Sequence, residues 1–151
     1  MERHQFSRIY PEVPKSQIDA LAEDIKERGQ LEPIMIHPED GSIVDGWNRY
    51  LACKIVGIKP KVEEWSYEIH GPLLGYIQSK NLHRRHLRES QRAVIAAKLV
   101  AYTSEEEDAQ ICAPVSQEQA AKQMGVSRRS VQSASKALSD GIDELVTGSY
   151  K

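Results

Sequence analysis

Cysteine is scarce in this sequence, with two residues among 151, and the two are far apart in the chain. Cys53 and Cys112 form no Cys-x-x-Cys pair and stand beside apolar residues, so we expect buried free thiols rather than a disulfide or a zinc site. His83 and His86 are spaced i,i+3, but the sequence suggests no third ligand, and such a pair is more typical of a protein surface. The sequence therefore predicts no metal site.

Long apolar runs are also absent. No stretch approaches the roughly 20 apolar residues that a membrane span needs, and residues 1–14 lack the apolar core of a signal peptide. We therefore expect a cytoplasmic protein without a membrane partner. Apolar residues still make up 40% of the chain, enough to bury one or two small cores, which excludes a disordered tail.

A large charge of one sign is missing as well, because the charged residues leave a formal net charge of only −2. A bulk positive field is thereby excluded as the basis for binding a nucleic acid, so local groups must meet any such partner. The strongest local positive field lies between residues 80 and 92, where five basic residues stand against one glutamate. DNA phosphates and nucleotide phosphates compete as its ligands, and a solvated helix end is the plainer interpretation.

The first half of the sequence alternates helical and strand patterns. Ser16 is a candidate N-cap, the apolar residues after it have helical spacing, and Gly29 supplies a stop. The elements that follow are a strand at 33–37, a turn, a strand at 42–45, a helix between Gly46 and Gly57, and a strand near 61–65. This order predicts an α+β domain over residues 1–79.

The second half is predicted to be all helical, over residues 80–151. Pro72 is well placed to start a helix, and a long helix is expected over about 89–102. Residues 103–109 carry an acidic run without apolar periodicity, so we expect a solvated connector there.

The spacing over residues 116–138 is typical of a DNA-binding helix-turn-helix. Ser116 and Gln119 form a capping box by position. Ala121 is small where a second helix must cross, Gly125 suits the positive φ of a tight turn, and Val126, Val131 and Ala134 would close the core. An ordinary helical hairpin with a basic face is the plainer alternative.

The second of these helices would present its N-terminal end to DNA, with Ser127 as its cap. Which of its two arginines reads a base stays open. The residues that we expect to contact DNA from this helix are Ser127, Arg128, Arg129, Ser130, Gln132 and Lys136.

Three segments together resemble the ParB and sulfiredoxin superfamily. The first is residues 31–34 (LEPI), which follow a helix that ends in glycine, and the second is residues 45–50 (DGWNRY). The third is residues 81–84 (NLHR), followed by Leu87, and this segment resembles the third conserved box of ParB partition proteins. The helix-turn-helix falls where theirs does. The resemblance implies a small ParB/sulfiredoxin-like N-terminal domain followed by an all-helical helix-turn-helix domain.

The resemblance also implies a nucleotide, which is CTP in partition proteins and ATP in sulfiredoxin, together with Mg²⁺. A glycine at a helix start and a nearby arginine suit a phosphate. The candidate nucleotide-binding residues are Gly46, Trp47, Asn48, Arg49, Tyr50, Asn81 and Arg84.

The sequence departs from the family pattern at two positions that bear on chemistry. Trp47 stands where sulfiredoxin has its catalytic cysteine, so that enzyme's reductase activity lacks its nucleophile. Lys80 stands where partition proteins place an acidic residue, and a lysine cannot ligate magnesium.

Together these observations predict a sequence-specific, double-stranded DNA-binding protein of ParB type, active in DNA partition or transcription control, regulated by a nucleotide and working as a homodimer. Arg85 and Arg88 are expected to add phosphate contacts. The alternative is a nucleotide-dependent enzyme on the same fold, such as an NTPase, a kinase or a nuclease. An enzyme of this kind would be a weak nucleoside triphosphatase, and no catalytic residue is assigned.

Overall fold

The computed structural model forms two compact units that divide between Gly71 and Pro72. This division precedes the boundary expected between residues 79 and 80, because one helix begins directly after Pro72 and runs without a break through that point. The structure describes residues 1–82, 87–105 and 112–141.

The N-terminal unit is α+β, as the sequence predicted. Its elements are α1 (Gln5–Arg8), α2 (Lys15–Arg28), β1 (Ile34–Ile36), β2 (Ile43–Asp45), α3 (Trp47–Val56), β3 (Val62–Glu64) and α4 (Tyr67–His70). The strands form one sheet in the order β2-β1-β3.

The register of this sheet places the start of α3 beside the start of β1. Strands β1 and β2 are antiparallel, with Met35 opposite Asp45 and an irregularity in the register before Ile36. Strands β1 and β3 are parallel, with Ile34 opposite Val62. Because β2 ends at Asp45, the glycine that follows it turns into α3 next to the residues that lead into β1.

Helices α2 and α3 pack through small and aliphatic side chains. Ala22, Ile25, Ala52 and Cys53 are buried together, and Leu21 and Val56 pack against them. Both helices end at glycines with positive φ, 77° at Gly29 and 78° at Gly57, as their positions in the sequence predicted.

The N-terminal half differs from the prediction in three details. Pro14, not Ser16, occupies the N-cap of α2, so Ser16 lies inside the first helical turn. A proline fixes φ near its helix-entry value and does so without a side-chain hydrogen bond. Helices α1 and α4 were not predicted, since four residues are too few to display a helical period.

The C-terminal unit is helical throughout the part that the structure describes. It contains α5 (Leu73–Leu82), α6 (Glu89–Glu105), α7 (Gln117–Met124) and α8 (Arg128–Ser139). Helix α6 packs against α7 and α8, and the core of the unit includes Ile95, Leu99 and Met124. None of the described helices is long and apolar enough to cross a membrane.

Helix α6 extends beyond its predicted end at residue 102, so the assignment of Thr103 to a solvated connector is wrong. Thr103 is fully buried. Its hydroxyl donates to the carbonyl of Val100 at 3.4 Å and accepts the N–H of Val115 at 3.0 Å. This hydroxyl ties the segment before α7 to α6. Residues 106–109 of the predicted connector lie outside the described residues.

Candidate functional site

Helices α7 and α8 and the turn between them form at the positions predicted from the sequence. The N–H of Ser116 donates to Oε1 of Gln119 at 2.9 Å, and Oγ of Ser116 accepts the N–H of Gln119 at 3.2 Å, which completes the capping box. Gly125 has a φ of 61°. Only a residue without a β-carbon adopts this value at low cost, so the tight turn depends on it.

The core between the two helices is built from small and medium side chains. Ala121 and Met124 of α7 are buried, as are Val131 and Ala134 of α8. Val126, which the sequence placed in this core, is only half-buried, because it lies in the turn, where its N–H donates to the carbonyl of Ala121. The two helices therefore share the buried inner face that the spacing predicted, except that Val126 does not belong to it.

The outer face of α8 is polar and exposed. At 3.6 residues per turn, Arg129, Gln132 and Lys136 lie opposite the buried Val131 and Ala134. Together they form a continuous stripe along the helix, which we call the α8 stripe.

Three more residues that were predicted to contact DNA lie outside the α8 stripe, as does Ser133, which the prediction did not include. Arg128 is exposed and lies nearer its edge. Ser133, absent from the prediction, is exposed and adjoins the stripe, a position that follows from the helical period once the buried residues are known. Ser127 and Ser130 bond to each other, with 2.8 Å between their hydroxyl oxygens, and Oγ of Ser127 accepts the N–H of Ser130 at 3.0 Å. Their first role is therefore to cap α8.

The arginines of the two units differ in their partners. In the N-terminal unit Arg3, Arg8, Arg28 and Arg49 each lie within 4 Å of a carboxylate. In the C-terminal unit none of the described arginines has such a partner; they are Arg88, Arg92, Arg128 and Arg129. The C-terminal unit thus presents cations that its described carboxylates do not neutralise.

The second candidate site lies at the start of α3, where Arg49 is tied to the chain itself. Its Nη1 donates to Oε2 of Glu32 at 3.0 Å. Its Nη2 donates to the carbonyl of Pro33 and to Oδ2 of Asp45, both at 3.0 Å. Gly46 has a φ of 95°, and a β-carbon there would lie 2.9 Å from Nη2 of Arg49. The glycine therefore serves the close approach of the guanidinium. Nη1 and Nη2 already have acceptors, whereas the buried Nε has none among the described residues.

The aromatic residues predicted for this site lie in the first turn of α3. The rings of Trp47 and Tyr50 are 5.4 Å apart, and Nζ of Lys54 lies 5.8 Å from the centre of the Tyr50 ring. Trp47, Asn48 and Tyr50 are half-buried. The structure therefore brings Gly46, Trp47, Asn48, Arg49 and Tyr50 together at one helix start.

The predicted residues from the third family box belong to the other unit. Asn81 lies near the end of α5, and its Nδ2 donates to the carbonyl of Ile77 at 2.8 Å. Arg84 and Arg85 lie outside the described residues, as do His83 and His86. Among the residues that the structure does describe, no group of three or more histidines, cysteines, aspartates or glutamates could hold a metal ion.

Two residues that the sequence reasoning missed are the acidic partners of Arg49. Asp45 precedes it by four residues, and although Asp45 ends β2 and lies outside α3, this short separation of opposite charges could have been noticed. Glu32 is 17 residues away and gives no such signal. Nearby, burial raises the pKa of the Cys53 thiol, and the positive charge of Arg49 opposes that rise only in part. Cys53 is therefore a poor nucleophile.

No family model matches this chain, and no curated protein does. The solved structures that resemble it include two of the C-terminally truncated chromosome-partitioning protein ParB from Caulobacter crescentus. The one complexed with CTP-gamma-S is 23% identical, with a TM-score of 0.43, over 97% of this chain and 80% of that chain. The one complexed to the centromeric parS site is 20% identical, with a TM-score of 0.45, over 85% of this chain and 64% of that chain, less than two thirds of it.

Both structures are of ParB, the family that the sequence resembles. Likeness at these identities and TM-scores says nothing about what this chain binds. The function must be argued from its own residues.

Proposed function

We propose that this chain is a sequence-specific DNA-binding protein of ParB type, acting in the cytoplasm in DNA partition or transcription control. The observation that supports the proposal best is the α8 stripe, a polar and exposed helix face. At its N-terminal end, Arg129 and the neighbouring Arg128 have no carboxylate partner among the described residues.

The size and chemistry of the stripe suit the major groove of DNA. An α-helix fits this groove, and the N-terminal residues of a recognition helix contact base edges. Arg129 can donate two hydrogen bonds to guanine and Gln132 can pair with adenine, while Lys136 suits a phosphate. Arg128, at the edge of the stripe, is better placed for the backbone. Ser127 and Ser130 cap the helix, so we expect them to hold its N-terminal end in place against the DNA.

The distribution of charge supports the same proposal. Residues 1–71 contain thirteen acidic and nine basic residues, whereas residues 72–151 contain nine acidic and eleven basic ones. Although the overall charge is −2, the C-terminal unit by itself is therefore basic. In DNA-binding proteins, contacts between basic residues and phosphates supply most of the non-specific affinity. Arg85 and Arg88 are proposed to add phosphate contacts.

A second copy of the chain is the proposed protein partner. Helix-turn-helix proteins usually bind two half-sites as dimers related by a two-fold axis. Light scattering with and without the selected duplex measures the number of chains bound. One chain per duplex would remove the homodimer from the proposal.

Binding to a pool of random duplexes, followed by selection and sequencing, tests the DNA-binding proposal. We expect an enriched motif in the wild type and its loss in Arg128→Ala/Arg129→Ala, with at least about a tenfold fall in affinity. The matched control is Arg8→Ala/Arg28→Ala, which removes two exposed arginines from the N-terminal unit. If no motif is enriched, or if both double variants behave alike, the proposal is wrong.

Regulation by a nucleotide is the second proposal, with CTP or ATP and Mg²⁺ as ligands. It is favoured by the glycine at the start of α3 beside Arg49, with Trp47, Asn48 and Tyr50 in the same turn. Asn81 and Arg84 stay predictions from the family resemblance, since Asn81 belongs to the other unit and Arg84 lies outside the described residues. A phosphate there would have to take the place of Glu32 on Arg49, so we expect Glu32→Gln to bind nucleotide more tightly than the wild type in calorimetry. Equal affinities would contradict this.

The enzyme alternative is a weak nucleoside triphosphatase at the same residues. It requires turnover in the wild type that is lost in Arg49→Ala while DNA binding remains intact. Absence of turnover in the wild type removes it.

A further inference from the structure

We propose that Arg92 of α6 contacts a DNA backbone phosphate beside α8, so that a helix outside the α7–α8 pair forms part of the DNA-binding surface. This inference rests on the proposed function and assigns to DNA a residue of the basic segment 80–92 that the sequence left undecided between DNA and a nucleotide.

The position of Arg92 follows from its approach to the turn. A β-carbon at Gly125 would lie 3.4 Å from Nη1 of Arg92. Ser127, the N-cap of α8, is two residues further along the chain. Since successive Cα atoms are about 3.8 Å apart, this nitrogen lies within about 13 Å of the Ser127 Cα. The guanidinium is therefore near the same end of α8 as Arg128 and Arg129.

The chemistry of Arg92 is that of a cation without an anion. No carboxylate of the described residues lies within ion-pair distance of it. Its Nε is shielded from water and has no hydrogen-bond partner in the described chain. Nη1 and Nη2 form no hydrogen bond or ion pair with a described residue, so these donors suit the forked geometry of a phosphate.

The surroundings of Arg92 add a second argument. Arg128 and Arg129 bring two further positive charges to this end of α8. Glu118 and Asp140 lie at the far ends of α7 and α8, and Glu89, three residues before Arg92 on α6, forms no ion pair with it. Cations close together repel one another unless an anion lies between them. A backbone phosphate supplies that anion and relieves the repulsion.

The dependence of DNA affinity on salt measures this contact. Each phosphate contact contributes about 0.9 to the slope of log affinity against log salt concentration. In Arg92→Gln and Arg92→Met we expect a slope smaller by about 0.9, with the same enriched motif as the wild type. Lys98→Gln, six residues further along α6, is the matched control. A slope equal to that of the wild type in the folded Arg92 variants would overturn the inference and leave Arg92 as a support of the turn.

A second measurement needs no variant, in case neither substitution folds. Arginine-specific labelling of the wild type, read by mass spectrometry, should modify Arg92 in the free protein and spare it on the selected duplex, while Arg28 is labelled equally in both. Labelling of Arg92 that DNA does not change overturns the inference alone. If the wild type binds no duplex, the proposed function fails first, and this inference fails with it.

Discussion

Arg49 and Asp45 form an ion pair, with 3.0 Å between Nη2 and Oδ2, and 16% and 13% of their side-chain surfaces are exposed. The chain contains a second pair of the same spacing and order, Asp24 and Arg28, at 3.2 Å, with 41% and 68% exposed. The two pairs join the same chemical groups but differ in their access to water, and Arg49 also bonds Glu32 and Pro33. Comparing them measures how far burial and these further bonds change the worth of an ion pair.

We expect Asp45→Asn to lower the free energy of unfolding by about 2 kcal/mol, because removing one partner leaves a shielded guanidinium with less compensation. Asp24→Asn should cost no more than about 0.5 kcal/mol, the usual worth of an exposed helical pair. Urea denaturation of both variants measures the difference. Equal losses would mean that the Asp45–Arg49 pair is solvated in solution.

The glycine beside this pair provides an independent measurement. Gly46 and Gly57 both have positive φ, but a β-carbon at Gly57 would meet nothing within 4 Å, whereas one at Gly46 would press on Arg49. Gly57→Ala should cost about 1 kcal/mol from the backbone conformation. Gly46→Ala should cost about 1 kcal/mol more, since the guanidinium is held by three hydrogen bonds and must shift.

The extra cost at Gly46 can be assigned to Arg49 by a double-mutant cycle. In an Arg49→Ala background the guanidinium is gone, so the costs of the two glycine substitutions should converge. Thermal or urea unfolding of the wild type, Arg49→Ala, the two glycine variants and the two double variants gives the costs in both backgrounds. A difference that persists without Arg49 would place the obstruction elsewhere.

The α7–α8 pair was predictable because its signals are local. Three signals lie within about twenty residues of one another: a capping box, a glycine four residues after Ala121, and the helical period of the buried residues. Each of them can be checked in the sequence without knowing the tertiary structure. The α+β order of the N-terminal unit was predictable for the same reason: glycines and prolines mark the ends of its elements.

The state of Arg49 could not be predicted in this way. A glycine followed three residues later by an arginine suits a phosphate, but it equally suits an arginine folded back on the chain. The choice depends on Glu32, which tertiary structure brings within 3.0 Å. Thr103 illustrates the same limit, since its partner Val115 lies twelve residues away, and a polar residue with a distant buried partner resembles a loop residue in the sequence.

The turn between β1 and β2 makes stability depend on pH through Asp40. Burial raises the pKa of this carboxyl, but hydrogen bonds from Ser42, and then the nearby His37 and His4, lower it further, so that the pKa lies below its ordinary value. The N–H of Ser42 donates to Oδ1 of Asp40 at 2.8 Å. A carboxyl whose pKa is lower in the folded state stabilises the fold above the pKa of the unfolded chain, and this contribution is lost as pH falls through the folded value.

Asp40→Asn should therefore be less stable than the wild type at pH 7, and the two should converge as pH falls below about 4, where the wild-type carboxyl takes up its proton. Asparagine keeps an oxygen for the N–H of Ser42, so the difference at neutral pH reports the charge. Glu39→Gln removes the same charge one residue away and corrects for the change in net charge. Urea denaturation at several pH values measures all three proteins. A gap between wild type and Asp40→Asn that stays constant into acid would show that the loss comes from packing of the turn.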